Sequence, residues 1–336
     1  MAEGHAHWAN PSSPHAEGRR ARAQVEGARR AVAAAYGWES ETLFTSGASE
    51  SLAIVLSRAL ADRVLVSGVE HDAVLRAAGR ASTIPVGPDG YVDPDVLAQA
   101  LLGEGRALVA IQWANSETGV RQPIARLAAV AHSAGARLLV DAAQMPAGAD
   151  NAAAEHADFV ALSAHKRGGP PGVGALLVRD LATLSPSGGQ ERGYRPGTEN
   201  LPGILGYAAA LAEPEDLSRL ATLRATLDDA IRRSGGEIVG EASRRHPAIG
   251  AYRMPGVASA TQLIRFDIAG FAVSAGSACA SGSLKPSHVL AAMGWDEATG
   301  REVVRVSFGR TTDEADIAAF VQAWREVARA TRKFVA

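Results

Sequence analysis

Short unbroken apolar runs alternate with amphipathic stretches through the first two thirds of the chain. The runs fall at 63–66, 107–113, 136–140 and 159–162, and helical patterns fall at 70–80 and 123–134. Continuous apolar runs between amphipathic helices predict strands covered on both faces, as in the parallel sheet of an α/β protein. Ligands of such sheets sit at the carboxyl ends of the strands, so the polar residues just after each run are the first candidates for chemistry. After Gly203 the pattern changes. Helical stretches at 204–212 and 216–234 precede short strand candidates, a Gly/Ser-rich segment at 274–283 and a strand-then-helix unit over 303–334. The pattern predicts a large domain over 8–213 and a smaller α+β domain over 214–336.

Composition narrows the partners. A chain of 336 residues suffices for two cores. Lys plus Arg number 34 against 36 Asp plus Glu, a net charge of −2, which gives no reason to expect nucleic acid or an anionic membrane. The Arg-rich stretch 18–30 is interspersed with Glu and reads as a solvated helix face. No apolar run reaches the roughly 18 residues of a membrane span, and the start has no apolar core of a secretory signal. The one cysteine, Cys279, cannot form an internal disulfide, which points to a reducing, cytoplasmic setting. Dinucleotide-binding and Walker A glycine patterns are absent, as is Cys/His spacing for a metal.

Five segments carry candidate chemistry, each with a plainer alternative. Ser163-Ala164-His165-Lys166 follows the run at 159–162. A lysine at a sheet's ligand edge can form a Schiff base with an aldehyde cofactor, or it can be an exposed loop lysine. Gly168, Gly169, Gly172 and Gly174 behind it read as a loop that lets backbone approach a ligand. Asp141, with Gln144 close behind, follows the run at 136–140. Its carboxylate could keep a pyridine nitrogen protonated or simply cap a helix. Thr45-Ser46-Gly47-Ala48-Ser49-Glu50 opens a helical stretch, which makes either a phosphate cradle or an ordinary capping box. His71 could stack on a flat ligand and move protons, or be structural. Cys279 lies among small residues, Ser274 to Ser283. Such a segment buries little and is expected to be an exposed, mobile loop, on which a thiol can be a travelling nucleophile rather than inert core. Lys285 is a candidate for stabilising the thiolate.

Together these segments resemble the cysteine desulfurases of the nitrogen-fixation and iron–sulfur-cluster assembly type, in the class V aminotransferase group. The matching stretches are 10–13 with 17–19, 44–50, 70–74, 114–120, 140–144, 163–166, 188–198, 273–282 and 304–310, in family order over nearly the whole chain. The resemblance implies pyridoxal 5′-phosphate (PLP) fold type I and a homodimer. Lys166 would hold PLP, Asp141 would pair with its ring nitrogen, Gln144 with its ring oxygen, and His71 would stack on the ring. Ser49, Ser163, His165 and the backbone of Ala48 would hold the phosphate, with Thr198 reaching the phosphate of the partner subunit. Ser116 would stand beside the cofactor where the family commonly has Asn, and Asn115 and Arg305 would meet the substrate. Cys279 would take sulfur from L-cysteine as a persulfide, leaving L-alanine. With no second cysteine, the sulfur must pass to an outside acceptor, such as an iron–sulfur scaffold protein.

The chain also departs from that pattern. The family's leading strand and Asn-Ala-Thr-Thr-Pro segment have no counterpart in Met1–Ala9, Ser49 replaces Thr, Leu52 and Ala53 replace Asn, and Pro171 replaces Lys. Two other classes of reading follow: selenocysteine lyase or aminotransferase chemistry on the same fold, or a noncatalytic subunit that binds a sulfur-assembly partner.

Overall fold

The computed structural model describes residues 1–277 and 285–335. The chain enters through a short helix, α1 (Ala2–Ala6), and a long one, α2 (Ala16–Ala35). Helix α2 turns Ala21, Val25, Ala28 and Val32 inward at helical spacing, while Arg19, Arg20, Arg22 and Arg30 face solvent. Arg29 is the exception, reaching inward to the buried Glu191 at 2.6 Å.

Strands and helices then alternate. They are β1 (Glu41–Thr45), α3 (Ala48–Arg58), β2 (Arg63–Ser67), α4 (Asp72–Ala78), β3 (Ser82–Ile84), α5 (Pro94–Ala100), β4 (Ala107–Gln112), α6 (Ile124–Ser133), β5 (Arg137–Asp141), α7 (Ala152–His156), β6 (Phe159–Ser163) and β7 (Gly174–Val178). The strands form one 7-stranded sheet in the order β1-β7-β6-β5-β4-β2-β3. Strands β3, β2, β4, β5 and β6 run parallel. Strand β7 runs antiparallel to both its neighbours. Alternate residues serve opposite faces: Leu138 and Val140 join one buried cluster with α2 and α6, while Leu139 joins another with α3 and α4. Two covered faces explain why the strand sequences are apolar without alternation.

The chain continues through α8 (Leu201–Leu211), α9 (Leu217–Arg233), β8 (Glu237–Ile238), β9 (Ile249–Arg253), α10 (Ser259–Ile268), β10 (Ser274–Ala275), α11 (His288–Ala292), α12 (Glu297–Gly300), β11 (Val303–Ser307) and α13 (Glu314–Val335). A second, antiparallel sheet of order β10-β11-β9-β8 has its own core. In it Phe266 stacks on Phe320 with ring centroids 5.0 Å apart, and Tyr252 meets the edge of Trp324. Among the described residues no helix is long and apolar enough to cross a membrane.

Two local expectations change. The helix expected over 70–80 begins only at Asp72, because His71 caps it, leaving Glu70 and His71 in the turn after β2. The glycine-rich stretch after Lys166 is loop only as far as Val173. Gly174 begins β7, where a Cβ would collide with the Leu162 carbonyl and the Gly47 backbone. The sheet therefore closes so tightly there that only glycine fits.

Candidate active site

Parallel strands place their carboxyl ends on one side. The turns leaving β2, β4, β5 and β6 accordingly bring His71, Ser116, Gln144 and Lys166 to one cavity of about 910 Å³. Arg305, on β11 of the second sheet, faces them across it. Strand β6 ends at the buried Ser163, and a single 3-10 turn, His165–Arg167, carries Lys166. Gly168 closes that turn in the left-handed region (φ 78°), where a residue without Cβ is unstrained.

The charges around Lys166 interact. Burial is the largest influence on His71 and holds its pKa below the ordinary imidazole value. Lys166 acts in the same sense, and the Asp141 carboxylate opposes both. His71 is therefore neutral at pH 7. Its Nδ1 accepts the Ala73 N–H at 3.1 Å, so its proton sits on Nε2. Asp141 is 7% exposed and its Oδ1 accepts the Ala143 N–H at 3.0 Å. No helix follows it, so Asp141 caps a turn and not a helix.

The start of α3 lacks a side-chain cap. Gly47 caps the helix without a side-chain hydrogen bond, and the Glu50 carboxylate takes the Ser46 N–H instead. The first-turn amides of Ala48 and Ser49 are thus not satisfied by a cap, and they carry the positive end of the helix dipole. The capping box that the sequence allowed does not form. Ser163 lies beside this terminus, paired in the sheet with Gly174, whose Cα borders Gly47. The Ser163 hydroxyl meets His165 Nδ1 at 2.9 Å. His165 is held below its ordinary pKa, first by what burial it has and then by Lys166 and Arg167.

The chain matches the Aminotransferase class-V family over residues 2–320. The chain belongs to that family. It is 37% identical over 336 residues to a cysteine desulfurase of Gluconacetobacter diazotrophicus, covering 92% of this chain and 84% of that protein. It is 35% identical to an IscS-like cysteine desulfurase of Mycobacterium tuberculosis, covering 97% and 91%. Among solved structures it is similar to a NifS-like protein from Rickettsia africae, with TM-score 0.84, 28% identity and coverage of 95% and 92%. It is also similar to SspA solved in complex with cysteine, with TM-score 0.76, 28% identity and coverage of 90% and 91%. The architecture is the fold type I of this class V family.

Within this class V fold, other expected residues fall in different places. Asn115 does not reach the cavity. It is 2% exposed, its amide donates to the Val69 carbonyl at 3.0 Å, and its Oδ1 accepts the N–H groups of Glu117 and Thr118. These bonds hold the turn that presents Ser116, and Asn115 borders a small void together with His71, Ser116 and Ser277. Ser49 and Thr198 are exposed, and neither lines the cavity. Cys279 lies outside the described residues, but the chain on either side of it is defined. Ser274 pairs directly with Arg305, and the Ser277 N–H donates to the Lys285 carbonyl at 3.1 Å. Ser277 borders a small void shared with His71 and Ser116. The Lys285 side chain is exposed.

Sequence reasoning missed several class V site neighbours. Glu70 is fully buried. Its carboxyl is pushed well above the usual range, by burial first and then by Asp141. Its position in the turn that follows β2 was the available signal. His246, on the loop before β9, is 1% exposed, lines the cavity and meets the edge of Trp113. No sequence pattern marked it. Arg167, Glu215 and Arg310 complete the wall beside Lys166. Among the described residues no cluster of His, Cys, Asp and Glu could hold a metal.

Proposed function

We propose that this protein is a cysteine desulfurase that uses PLP, takes sulfur from L-cysteine onto Cys279 and releases L-alanine. The observation that carries the reading is the meeting of Lys166, His71 and Gln144, with Asp141 close behind, at one sheet edge, opposite Arg305. The donor set suits the cofactor. An amine stands for its aldehyde, a buried carboxylate for its ring nitrogen, and an uncapped helix terminus beside Ser163 and His165 for its phosphate. When bound, PLP supplies an electron sink that makes bonds at the amino acid's α-carbon labile.

The chain's own groups then have separate tasks. Ala48, Ser49, Ser163 and His165 would hold the phosphate, with Thr198 supplied across a homodimer. Asp141 and Gln144 would hold the ring nitrogen and ring oxygen, and Ser116 would stand beside them. Arg305 presents a two-pronged guanidinium to the substrate carboxylate. Lys166 Nζ would move the α-proton, and the neutral His71, which lines the same cavity, would flank the bound cofactor. The Cys279 thiolate attacks the substrate sulfur. An S–S bond forms as the C–S bond breaks, and the electron pair stays with the carbon skeleton, which gains a proton and leaves as alanine. The persulfide sulfur passes to an outside acceptor, for which an iron–sulfur scaffold protein in the cytoplasm fits the lone cysteine. We take 8–213 as the cofactor-holding unit and 214–336 as the unit that brings Arg305 and Cys279.

The test is direct. Purified protein, PLP and L-cysteine should yield alanine, with sulfide released when a thiol reductant is added. A sample that binds PLP and forms no alanine from cysteine would overturn the assignment.

A further inference from the structure

The wall beside Lys166 holds a buried ion pair that no step above uses. Arg167, adjacent in sequence, has a side chain 7% exposed, and its Nη1 meets both oxygens of Glu215 at 2.9 and 3.2 Å. Its Nε donates to nothing among the described residues. Glu215 is itself 12% exposed and lies on the linker between α8 and α9. Arg310, just beyond β11, closes the arrangement. Its Nη2 donates to the Arg167 carbonyl at 2.8 Å, its Nη1 to the Glu213 carbonyl at 3.0 Å, and Nη2 lies 3.6 Å from Glu215. Gly168 lies beneath it in the left-handed region (φ 78°), where a Cβ would come within 3.3 Å of Arg310 Nε.

The charge of Arg167 reaches the cavity, because after burial it is the next influence holding His246 low. A buried cation beside the reactive lysine would disfavour any positive charge on that lysine's nitrogen. The neighbouring elements do not offset it. Arg305 faces Lys166 from β11, and Arg219 spends its guanidinium on the carbonyls of Arg310 and Thr312. Asp216 caps α9, and Glu213 is an exposed side chain. On the sheet side, the charge of Asp141 acts on His71, where it opposes that of Lys166. Glu215 is therefore the carboxylate within ion-pair distance of Arg167 among the described residues.

We propose that Glu215 is a positioning residue for the reaction: it neutralises Arg167 beside Lys166 and, with Arg310, ties the lysine turn to the second sheet. This rests on the reading of Lys166 as the amine that holds PLP. Removing Glu215 leaves a buried, unpaired guanidinium, which is the costly way to break such a pair.

The experiment is a pH titration of the visible absorbance of the PLP-loaded protein. In Glu215→Gln the midpoint should fall by about 1 pH unit relative to wild type. The double variant Arg167→Met/Glu215→Gln, which removes the stranded charge, should recover the wild-type midpoint. If Glu215→Gln does not fold, Glu215→Asp, which keeps the charge at shorter reach, should show a smaller fall in the same direction. An unchanged midpoint in the single variant, or an equal fall in the double, overturns the inference alone. A wild-type sample with no PLP-dependent band overturns the reading of Lys166, and this inference with it.

Discussion

His71 Nδ1 accepts the backbone N–H of Ala73 at 3.1 Å, so one imidazole both begins α4 and faces the cavity. The two roles can be separated. His71→Asn replaces one good N-cap by another and should keep stability, whereas His71→Ala should lose about 1 kcal/mol in a thermal or urea melt. Both should lose about 100-fold or more in alanine formation. Wild-type activity in the Asn variant would remove the ring from the chemistry.

Lys166 and Cys279 divide the reaction. Lys166→Ala should abolish the visible absorbance of the PLP-loaded protein. Cys279→Ser should keep that absorbance and make no alanine from L-cysteine. Turnover at the wild-type rate in the serine variant would show that another group takes the sulfur.

His246 makes stability depend on acid. Its pKa is lowered to about 3, chiefly by burial, so the folded protein keeps it neutral where the unfolded chain protonates it. Its contribution is complete above the ordinary imidazole value of about 6.5 and is lost as pH falls toward 3. The slope is about 1.4 kcal/mol per pH unit, so this one group accounts for roughly 3 kcal/mol of lost stability between about pH 6.5 and 4.5. Urea midpoints measured across that range should fall less steeply for His246→Gln. Parallel acid limbs would show that the ring is not buried as described.

Gly174→Ala should be far worse than a surface glycine replacement. The added methyl has no space between the Leu162 carbonyl and the Gly47 backbone, and backbone cannot swing aside as a flexible side chain can. A loss of about 1–3 kcal/mol is expected, with weaker PLP retention because both the α3 terminus and Ser163 border the displaced rung. Gly172→Ala is the comparison: a Cβ there meets nothing within 4 Å, so its cost is that of the left-handed backbone alone (φ 74°), and the loss at Gly174 should exceed it.

The parts legible in the sequence were those written in local pattern. The runs at 63–66, 107–113, 136–140 and 159–162 each became a parallel strand, because a strand covered on both faces must be apolar throughout. The candidates at their carboxyl ends, His71, Gln144 and Lys166, met in one cavity for the same reason. Strand β7 was hidden because its first residue, Gly174, is a glycine for spatial reasons that only the packed sheet reveals. The bond by which Asn115 ties its turn to the Val69 carbonyl was not legible, since it joins segments far apart in the chain. Glu215 and Arg167 stand 48 residues apart, and nothing local announces their pairing.

Thr45, Gly174 and Ser163 occupy a single rung of the large sheet. The stretch that opens α3 and the turn that carries Lys166 are thus joined by a strand entering long after β1 has been made. Local structure can form early, but this junction closes only when distant parts of the chain dock. A half-refolded molecule can own every catalytic side chain and still have nowhere to seat a coenzyme. Acquisition of colour during refolding would therefore serve as a clock for the last stage of assembly.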